Sequence, residues 1–138
     1  MKLQPTKPTV KNPATQFTGD VWVDMIGVPQ DDGQRASTAR VQFSPGARSN
    51  WHSHGLGQTI HVTEGVAWIQ ARGGEVLEVH PGQTVYTAPG EEHWHGASPG
   101  AFMEHLVMMD IPDDPATATT WLEPVSDEEY LAGTARRP

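Results

Sequence analysis

At 138 residues the chain has enough length for one domain built around one hydrophobic core. Its 14 glycines and 12 prolines exclude a helix bundle, and a net charge of −8 makes nucleic acids and anionic membrane surfaces poor partners. The absence of cysteine excludes disulfides, thiolate metal sites and cysteine nucleophiles, so any bound metal has nitrogen and oxygen ligands.

The first residues alternate proline, lysine, threonine and asparagine, which predicts an extended arm over residues 1–16 that could lie along a neighbouring subunit. The arm contains no apolar run typical of a signal peptide, and no later segment approaches the ~20 apolar residues that span a bilayer. We therefore expect a single domain over residues 17–138, a cytoplasmic location and no membrane partner.

Short β-rich runs follow the arm. One is expected at residues 21–26, and the next, at residues 39–43, alternates so that Ala39, Val41 and Phe43 share an inner face. The block from Thr59 to Tyr86 predicts three further strands.

The run Phe102–Ile111 is apolar on both faces, which is typical of a strand buried within a sandwich. Near the end of the chain, a capping box from Ser126 to Glu129 predicts a helix that stops at Gly133. Many short strands separated by glycine and proline turns favour an all-β fold, an antiparallel sandwich or barrel with a short C-terminal helix.

Six of the seven histidines lie between His52 and His95. They include two His-x-His pairs, and residues two apart on a strand project from the same face. Gln58, four residues after His54, would share that face. Neutral imidazole and amide oxygen suit divalent ions such as manganese, iron, nickel, zinc or copper. His61 and His80 fit no pattern and are expected at the surface or at an edge.

The spacing of these residues resembles the first signature motif of the cupin family: Gly46, His52-x-His54, Gln58 in place of the usual glutamate, and Gly65. The segments Pro81-Gly82, Pro89-Gly90 and His93 resemble the second cupin motif. They depart from that motif in the placement of one residue around the proline and in lacking its customary asparagine. The resemblance implies a jelly-roll barrel that binds one metal inside. It also implies the metal ligands, which are His52, His54, Gln58 and His93.

Other stretches are similar to the bacterial manganese cupins with (R)-selective hydroxynitrile lyase activity: Pro45–Arg48, Trp51–His54, Leu56–Thr59, Pro89–Gly96, His105-Leu106 and Trp121–Tyr130. This similarity runs from about Phe17 to Tyr130 and implies His105 as the acid/base residue. The same small cupin fold also occurs in dioxygenases, isomerases, decarboxylases and proteins without known activity.

His105 has apolar neighbours at alternate positions, which are Met103, Val107 and Met109. This apolar environment suits either a general base or a hydrogen-bonded core histidine. His95 either lines the pocket or makes a structural hydrogen bond. We expect the pocket to be shaped by Ala39, Val41, His95 and Met109. The tryptophans Trp51, Trp68 and Trp94 are expected to pack in the core.

Glutamine in place of glutamate leaves four neutral ligands, so the metal keeps its full charge of +2 and acts as a Lewis acid. The resemblance, together with this neutral ligand set, implies a metal-dependent lyase that splits cyanohydrins into aldehyde and cyanide, with mandelonitrile as model substrate. One Mn²⁺ per chain is expected, with Fe²⁺, Ni²⁺ and Zn²⁺ as alternatives, in a homo-oligomer (dimer or tetramer). The functional alternatives are a dioxygenase or oxidase acting on an aromatic or alkenyl molecule, and a non-enzymatic small-molecule-binding cupin.

Overall fold

The computed structural model describes residues 1–135, so the last three residues of the expected domain lie outside the described residues. The strands in this part of the chain are β1 (Val10–Lys11), β2 (Phe17–Thr18), β3 (Val21–Gly27), β4 (Ala36–Phe43), β5 (Arg48–Ser49), β6 (His52–His54), β7 (Gln58–Gly65), β8 (Ala67–Ala71), β9 (Val76–Val79), β10 (Thr84–Thr87), β11 (His93–Ala97), β12 (Met103–Asp110) and β13 (Thr119–Trp121). A 3₁₀ turn (Pro115–Thr117) precedes β13, and helix α1 (Asp127–Ala135) follows it.

The strands form two antiparallel sheets. One sheet has the order β1-β3-β4-β12-β7-β10, and the other follows β13-β6-β11-β5-β2, with β8 pairing to β11 and β9 pairing to β8. The main hydrophobic core draws on both sheets, for example on Phe43 and Ile60 from the first and Ile69 from the second. The expected all-β fold with an extended arm and a short C-terminal helix is confirmed. No helix among the described residues is long and apolar enough to cross a membrane.

The alternation in β4 is confirmed, because Ala39, Val41 and Phe43 are all buried. The expectation that β12 is buried on both faces is wrong. Its inner residues include the fully buried His105, whereas Met108 on the outer face is 39% exposed. Strand β12 lies in the middle of a sheet that has the core on one side only. Only every second side chain of the strand is therefore shielded from solvent.

The block from Thr59 to Tyr86 falls within four strands rather than the expected three. The unexpected strand is β10, which follows the turn at Pro81-Gly82 and pairs with the edge of β7, Tyr86 opposite Thr59. This segment is only four residues long and mostly exposed, and its pairing with β7 stabilises it as a strand.

Helix α1 packs on a second, aromatic core. Trp51, Trp68 and Trp94 are buried there beside Tyr130, as expected for packing residues. The Tyr130 hydroxyl donates a 2.7 Å hydrogen bond to the carbonyl of Ala97, at the end of β11. The helix is therefore fastened directly to the strand that carries His93 and His95.

The capping box that begins α1 is present, since Ser126 Oγ accepts a 3.1 Å hydrogen bond from the backbone N–H of Glu129. The prediction that the helix stops at Gly133 is wrong, because the helix continues to Ala135. A Cβ at Gly133 would lie 3.0 Å from Cγ2 of Val76, so this glycine permits close packing rather than ending the helix.

Candidate active site

A cavity of about 270 Å³ lies between the two sheets. Its polar side is formed by His52, His54, Gln58 and His95. Its aliphatic side is formed by Val23, Met25, Ala39, Val41, Val107 and Met109. The four residues expected to shape a pocket, Ala39, Val41, His95 and Met109, thus all line the same cavity.

Strand pairing brings the two His-x-His segments together. Strand β6 pairs with β11 so that His52 lies opposite His93, and the centroids of these two rings are 4.4 Å apart. His52 and His54 are both buried with centroids 5.0 Å apart, while Ser53 between them is less buried. The alternation of a regular strand therefore directs both imidazoles to the interior.

The tightest group of possible metal ligands consists of His52, His93 and His95. One ring nitrogen from each lies within 4.8 Å of the others, and all three residues are buried. Two further predicted ligands adjoin this group. His54 has its ring centroid 5.5 Å from that of His93, and Gln58 Oε1 lies 3.4 Å from His93 Nε2. The buried histidine cluster could therefore hold a metal ion.

The hydrogen bonds of the imidazoles identify which nitrogens are free. His52 Nδ1 donates to the carbonyl of Asn50 at 2.8 Å, and His93 Nδ1 donates to the carbonyl of Glu91 at 2.9 Å. Because a carbonyl can only accept, the proton of each neutral ring is on Nδ1 and Nε2 carries a lone pair. A hydrogen bond from Nδ1 to a backbone carbonyl is a common way to orient a metal-binding histidine.

Two observations test whether the site fits a cation. With its proton on Nδ1, His93 presents the lone pair of Nε2 to the carbonyl oxygen of Gln58, and two acceptors facing each other at 3.4 Å have no hydrogen between them. His54 Nε2 is also buried without a hydrogen-bond partner among the described residues. A cation would be a partner for all three atoms, which are His93 Nε2, Gln58 Oε1 and His54 Nε2. These residues therefore fit a divalent metal.

Burial keeps the imidazoles of the cluster uncharged. It lowers the pKa of His54 to about 4, with the neighbouring His93 adding to the effect, and it lowers the pKa of His52 well below the ordinary value. The pKa of His93 is lowered for the same reason. At neutral pH these rings are therefore neutral, the form in which imidazole binds a metal.

His105 does not line the cavity. It is fully buried behind His95, with its Nε2 atom 2.8 Å from His95 Nδ1. Burial lowers the pKa of His105 to about 4. Phe43 packs on both rings, at centroid distances of 5.1 Å to His105 and 5.8 Å to His95. His105 therefore reaches the cavity only through His95.

Phe17 and Trp121 form an aromatic side of the cavity that no pattern in the sequence predicted. The Trp121 ring lies 4.8 Å from the His52 ring at an angle of 33°, and the Phe17 ring lies 5.6 Å from that of Trp121. Both residues belong to segments included in the family resemblance, but no motif spacing marks them. Their position follows from two strand pairings, which set Phe17 opposite Ser49 and Trp121 opposite His52.

His61 and His80 take no part in the site, as expected. The His61 ring bonds Thr84 Oγ1 at 2.9 Å on the exposed side of the first sheet, and His80 is exposed with Nε2 3.0 Å from Glu78. Two exposed carboxylates form ion pairs elsewhere on the surface. Asp113 forms an ion pair with Arg35, and Asp127 forms one with the buried Arg48.

Comparison with known proteins agrees with this architecture. Residues 39–109 match the model of the family described as Cupin domain. A protein from Granulicella tundricola named (R)-mandelonitrile lyase is 48% identical over 120 residues, which are 87% of this chain and 89% of that protein. The crystal structure of a cupin-like protein from Thermotoga maritima is 31% identical, with a TM-score of 0.86 over 99% of this chain and 100% of that one.

The polyketide cyclase RemF from Streptomyces resistomycificus shares the fold at 21% identity, with a TM-score of 0.68 over 97% of this chain and 93% of that one. The family model, the curated relative and the fold therefore agree, and the chain belongs to the cupin family.

Proposed function

We propose that this protein is a metal-dependent cupin lyase that cleaves and forms cyanohydrins, with mandelonitrile as model substrate and an aldehyde and cyanide as products. The observation that carries the proposal is the pair of lone pairs on His93 Nε2 and Gln58 Oε1, which face each other beside a mainly apolar cavity. The relative named (R)-mandelonitrile lyase supports the assignment of enzyme activity and of this reaction.

In this proposal His52, His54, Gln58 and His93 hold one divalent metal, Mn²⁺ before Fe²⁺, Ni²⁺ or Zn²⁺. A divalent metal with these four neutral ligands supplies a Lewis-acid centre of charge +2 that stabilises an anion such as departing cyanide. His95 also belongs to the tightest histidine group, but its Nδ1 is bonded to another imidazole rather than to a backbone carbonyl. Its protons are therefore not fixed, and we assign it to the substrate.

The chain supplies acid/base chemistry through the pair His95 and His105. With His95 in the tautomer that carries its proton on Nδ1, the hydroxyl proton goes to His95 Nε2 during cleavage. The Nδ1 proton passes to His105 Nε2 across 2.8 Å, which leaves His105 as the imidazolium. The electrons of the O–H bond form the carbonyl, and those of the C–C bond leave with cyanide. Synthesis reverses these transfers. Burial keeps both rings neutral near pH 7, so each ring has one nitrogen with a lone pair.

The aliphatic side of the cavity binds the rest of the substrate. Ala39 and Val41 are small, and with Met109 they leave room for an apolar substituent while excluding water from the reacting carbon. A volume of about 270 Å³ suits a small molecule with one ring rather than a larger ligand.

Elemental analysis combined with a cyanide-release assay tests the proposal. We expect about one divalent metal per chain in the purified protein and release of cyanide from mandelonitrile. Protein with full metal that releases no cyanide would overturn the lyase assignment. Oxygen consumption with an aromatic substrate would then favour the dioxygenase alternative, and protein purified without metal would favour the small-molecule-binding alternative.

We also propose that residues 17–138 act as a single domain and that the chain forms a homo-oligomer. Exposed apolar side chains on the first sheet and beside it, such as Tyr86 at 64% and Leu56 at 45%, support an association surface. Analytical ultracentrifugation distinguishes a monomer from a dimer or tetramer. The cytoplasmic location stays a prediction from the sequence.

A further inference from the structure

We propose that Phe17 and Trp121 form an aromatic wall that binds the aryl group of the substrate and selects aromatic over small aliphatic cyanohydrins. This inference rests on the proposed function, because it assigns the substrate class of the same site. It concerns residues that the metal-ligand motifs do not contain.

The wall begins at the proposed metal ligands and extends away from them. Trp121 packs on the His52 ring at 4.8 Å, and Phe17 meets Trp121 edge-on at 5.6 Å with an angle of 62° between the rings. Both side chains line the cavity. A cyanohydrin whose hydroxyl and nitrile lie at the histidines can therefore place its substituent against these two rings as well as against the aliphatic side of the cavity.

The remaining apolar lining is aliphatic, so aromatic contacts with a substrate ring come from this wall. An aryl group gains edge-to-face or offset contacts with Phe17 and Trp121 in addition to the burial of its apolar surface. A methyl group in the same place gains burial alone. The wall therefore discriminates by the kind of substituent as well as by its size.

The wall is built from segments that flank the cupin motifs. Phe17 and Trp121 both lie outside residues 39–109, the part of the chain that matches the family model. Strand β2 brings Phe17 in by pairing with β5, and strand β13 brings Trp121 in by pairing with β6. The aromatic contacts to the substrate are thus separated in sequence from the proposed metal ligands, although the two adjoin in space.

Asn50 positions the wall relative to the histidines. Its backbone N–H donates to the carbonyl of Gln16 at 2.8 Å, next to Phe17, and its Nδ2 donates to the carbonyl of Leu122 at 3.3 Å, next to Trp121. Its own carbonyl accepts the 2.8 Å hydrogen bond from His52 Nδ1. This residue is only 3% exposed, so one buried asparagine ties both halves of the wall to a proposed ligand.

The test compares Phe17→Leu and Trp121→Leu with the wild-type protein on two substrates, mandelonitrile and the cyanohydrin of acetaldehyde. We expect the ratio of their kcat/KM values to shift roughly 3- to 10-fold against mandelonitrile in each variant, the range that an aromatic pair contributes. Metal content should stay unchanged. The matched control is Phe102→Leu, the same change at a side chain that is 42% exposed and does not line the cavity, which should leave the ratio as it is.

Asn50→Ala separates positioning from general stability, because it removes the side-chain donor and keeps the backbone carbonyl that accepts from His52. We expect the same shift in the ratio, expressed mainly as a higher KM for mandelonitrile. Loss of both activities in equal proportion would show that Asn50 only supports the fold.

Calorimetry with benzyl alcohol, a non-reacting aryl probe, makes the wall testable without turnover. We expect Phe17→Leu to weaken its binding, and Phe102→Leu not to. Unchanged ratios and unchanged binding in both wall variants would overturn the inference. Failure of the wild-type protein to cleave either cyanohydrin would overturn the proposed lyase activity, and the binding of benzyl alcohol would still decide whether the wall exists.

Discussion

His105 Nε2 and His95 Nδ1 lie 2.8 Å apart in the interior of the protein. Only His95 lines the cavity, whereas His105 is fully buried behind it. The imidazole implied as the acid/base group is therefore separated from the substrate by a second imidazole. In the proposed mechanism proton transfer is therefore a property of the pair, and the role of His105 can be tested separately from metal binding.

Replacing His105 by alanine should slow cyanohydrin cleavage by roughly 10²–10⁴-fold, the usual contribution of general acid/base catalysis. Metal content should not change, because His105 lies outside the group His52, His93 and His95. Cyanide release and elemental analysis on the same sample measure both effects. His80→Ala, at an exposed histidine, is the control. A His105→Ala protein that cleaves mandelonitrile at the wild-type rate would make His105 an ordinary core histidine.

Replacing His52 by alanine should empty the metal site while the protein stays folded. The proposed ligands sit on strands whose pairing does not require the metal, so losing one ligand costs metal affinity more than packing. Elemental analysis after dialysis and circular dichroism measure the two outcomes. His61→Ala removes a histidine that lies outside the site and should leave the metal in place. Full metal in His52→Ala would show that the ligand assignment is wrong.

Replacing Gln58 by glutamate should tighten metal binding and slow the lyase. A carboxylate adds a negative charge beside His93, where the amide oxygen now lies 3.4 Å from Nε2, and this lowers the Lewis acidity that stabilises cyanide. Competition with a chelator measures the affinity, and cyanide release measures the rate. An unchanged or faster rate in Gln58→Glu would remove the argument for a neutral ligand set. Gln70→Glu, at a glutamine that does not line the cavity, is the matched control.

Local patterns predicted the parts of the fold that depend on local chemistry. The alternation at residues 39–43 placed Ala39 and Val41 on the inner face, and the capping box placed the start of α1. The same reasoning failed where tertiary context decides the outcome. Residues Thr84–Thr87 form strand β10 because they pair with β7. Gly133 stays helical because Val76 packs against it.

The candidate site divides in the same way. The spacing of His52 and His54 predicts that they share a face, and the structure has both of them buried on one strand. No local pattern contains the pairing of Trp121 with His52, or the hydrogen bond between His95 and His105, because each joins residues on different strands. Such contacts follow from sheet topology, which a single sequence does not specify.

The buried histidines should make the metal-free protein less stable in acid. Burial lowers the pKa of His105 to about 4, below the value of 6.5 that an unfolded chain has. The unfolded state therefore binds more protons once the pH falls below 6.5. The contribution of His105 to stability is complete above pH 6.5 and decreases as the pH falls from there toward 4.

For a single histidine with these two pKa values, the loss between pH 7 and pH 5 is about 2 kcal/mol. Urea unfolding of the metal-free protein at the two pH values measures the total loss, and the difference between wild type and His105→Gln gives the share of His105. His105→Gln removes the titrating ring, so its free energy of unfolding should fall less over the same interval. Equal losses in wild type and His105→Gln would show that His105 is not held neutral by burial.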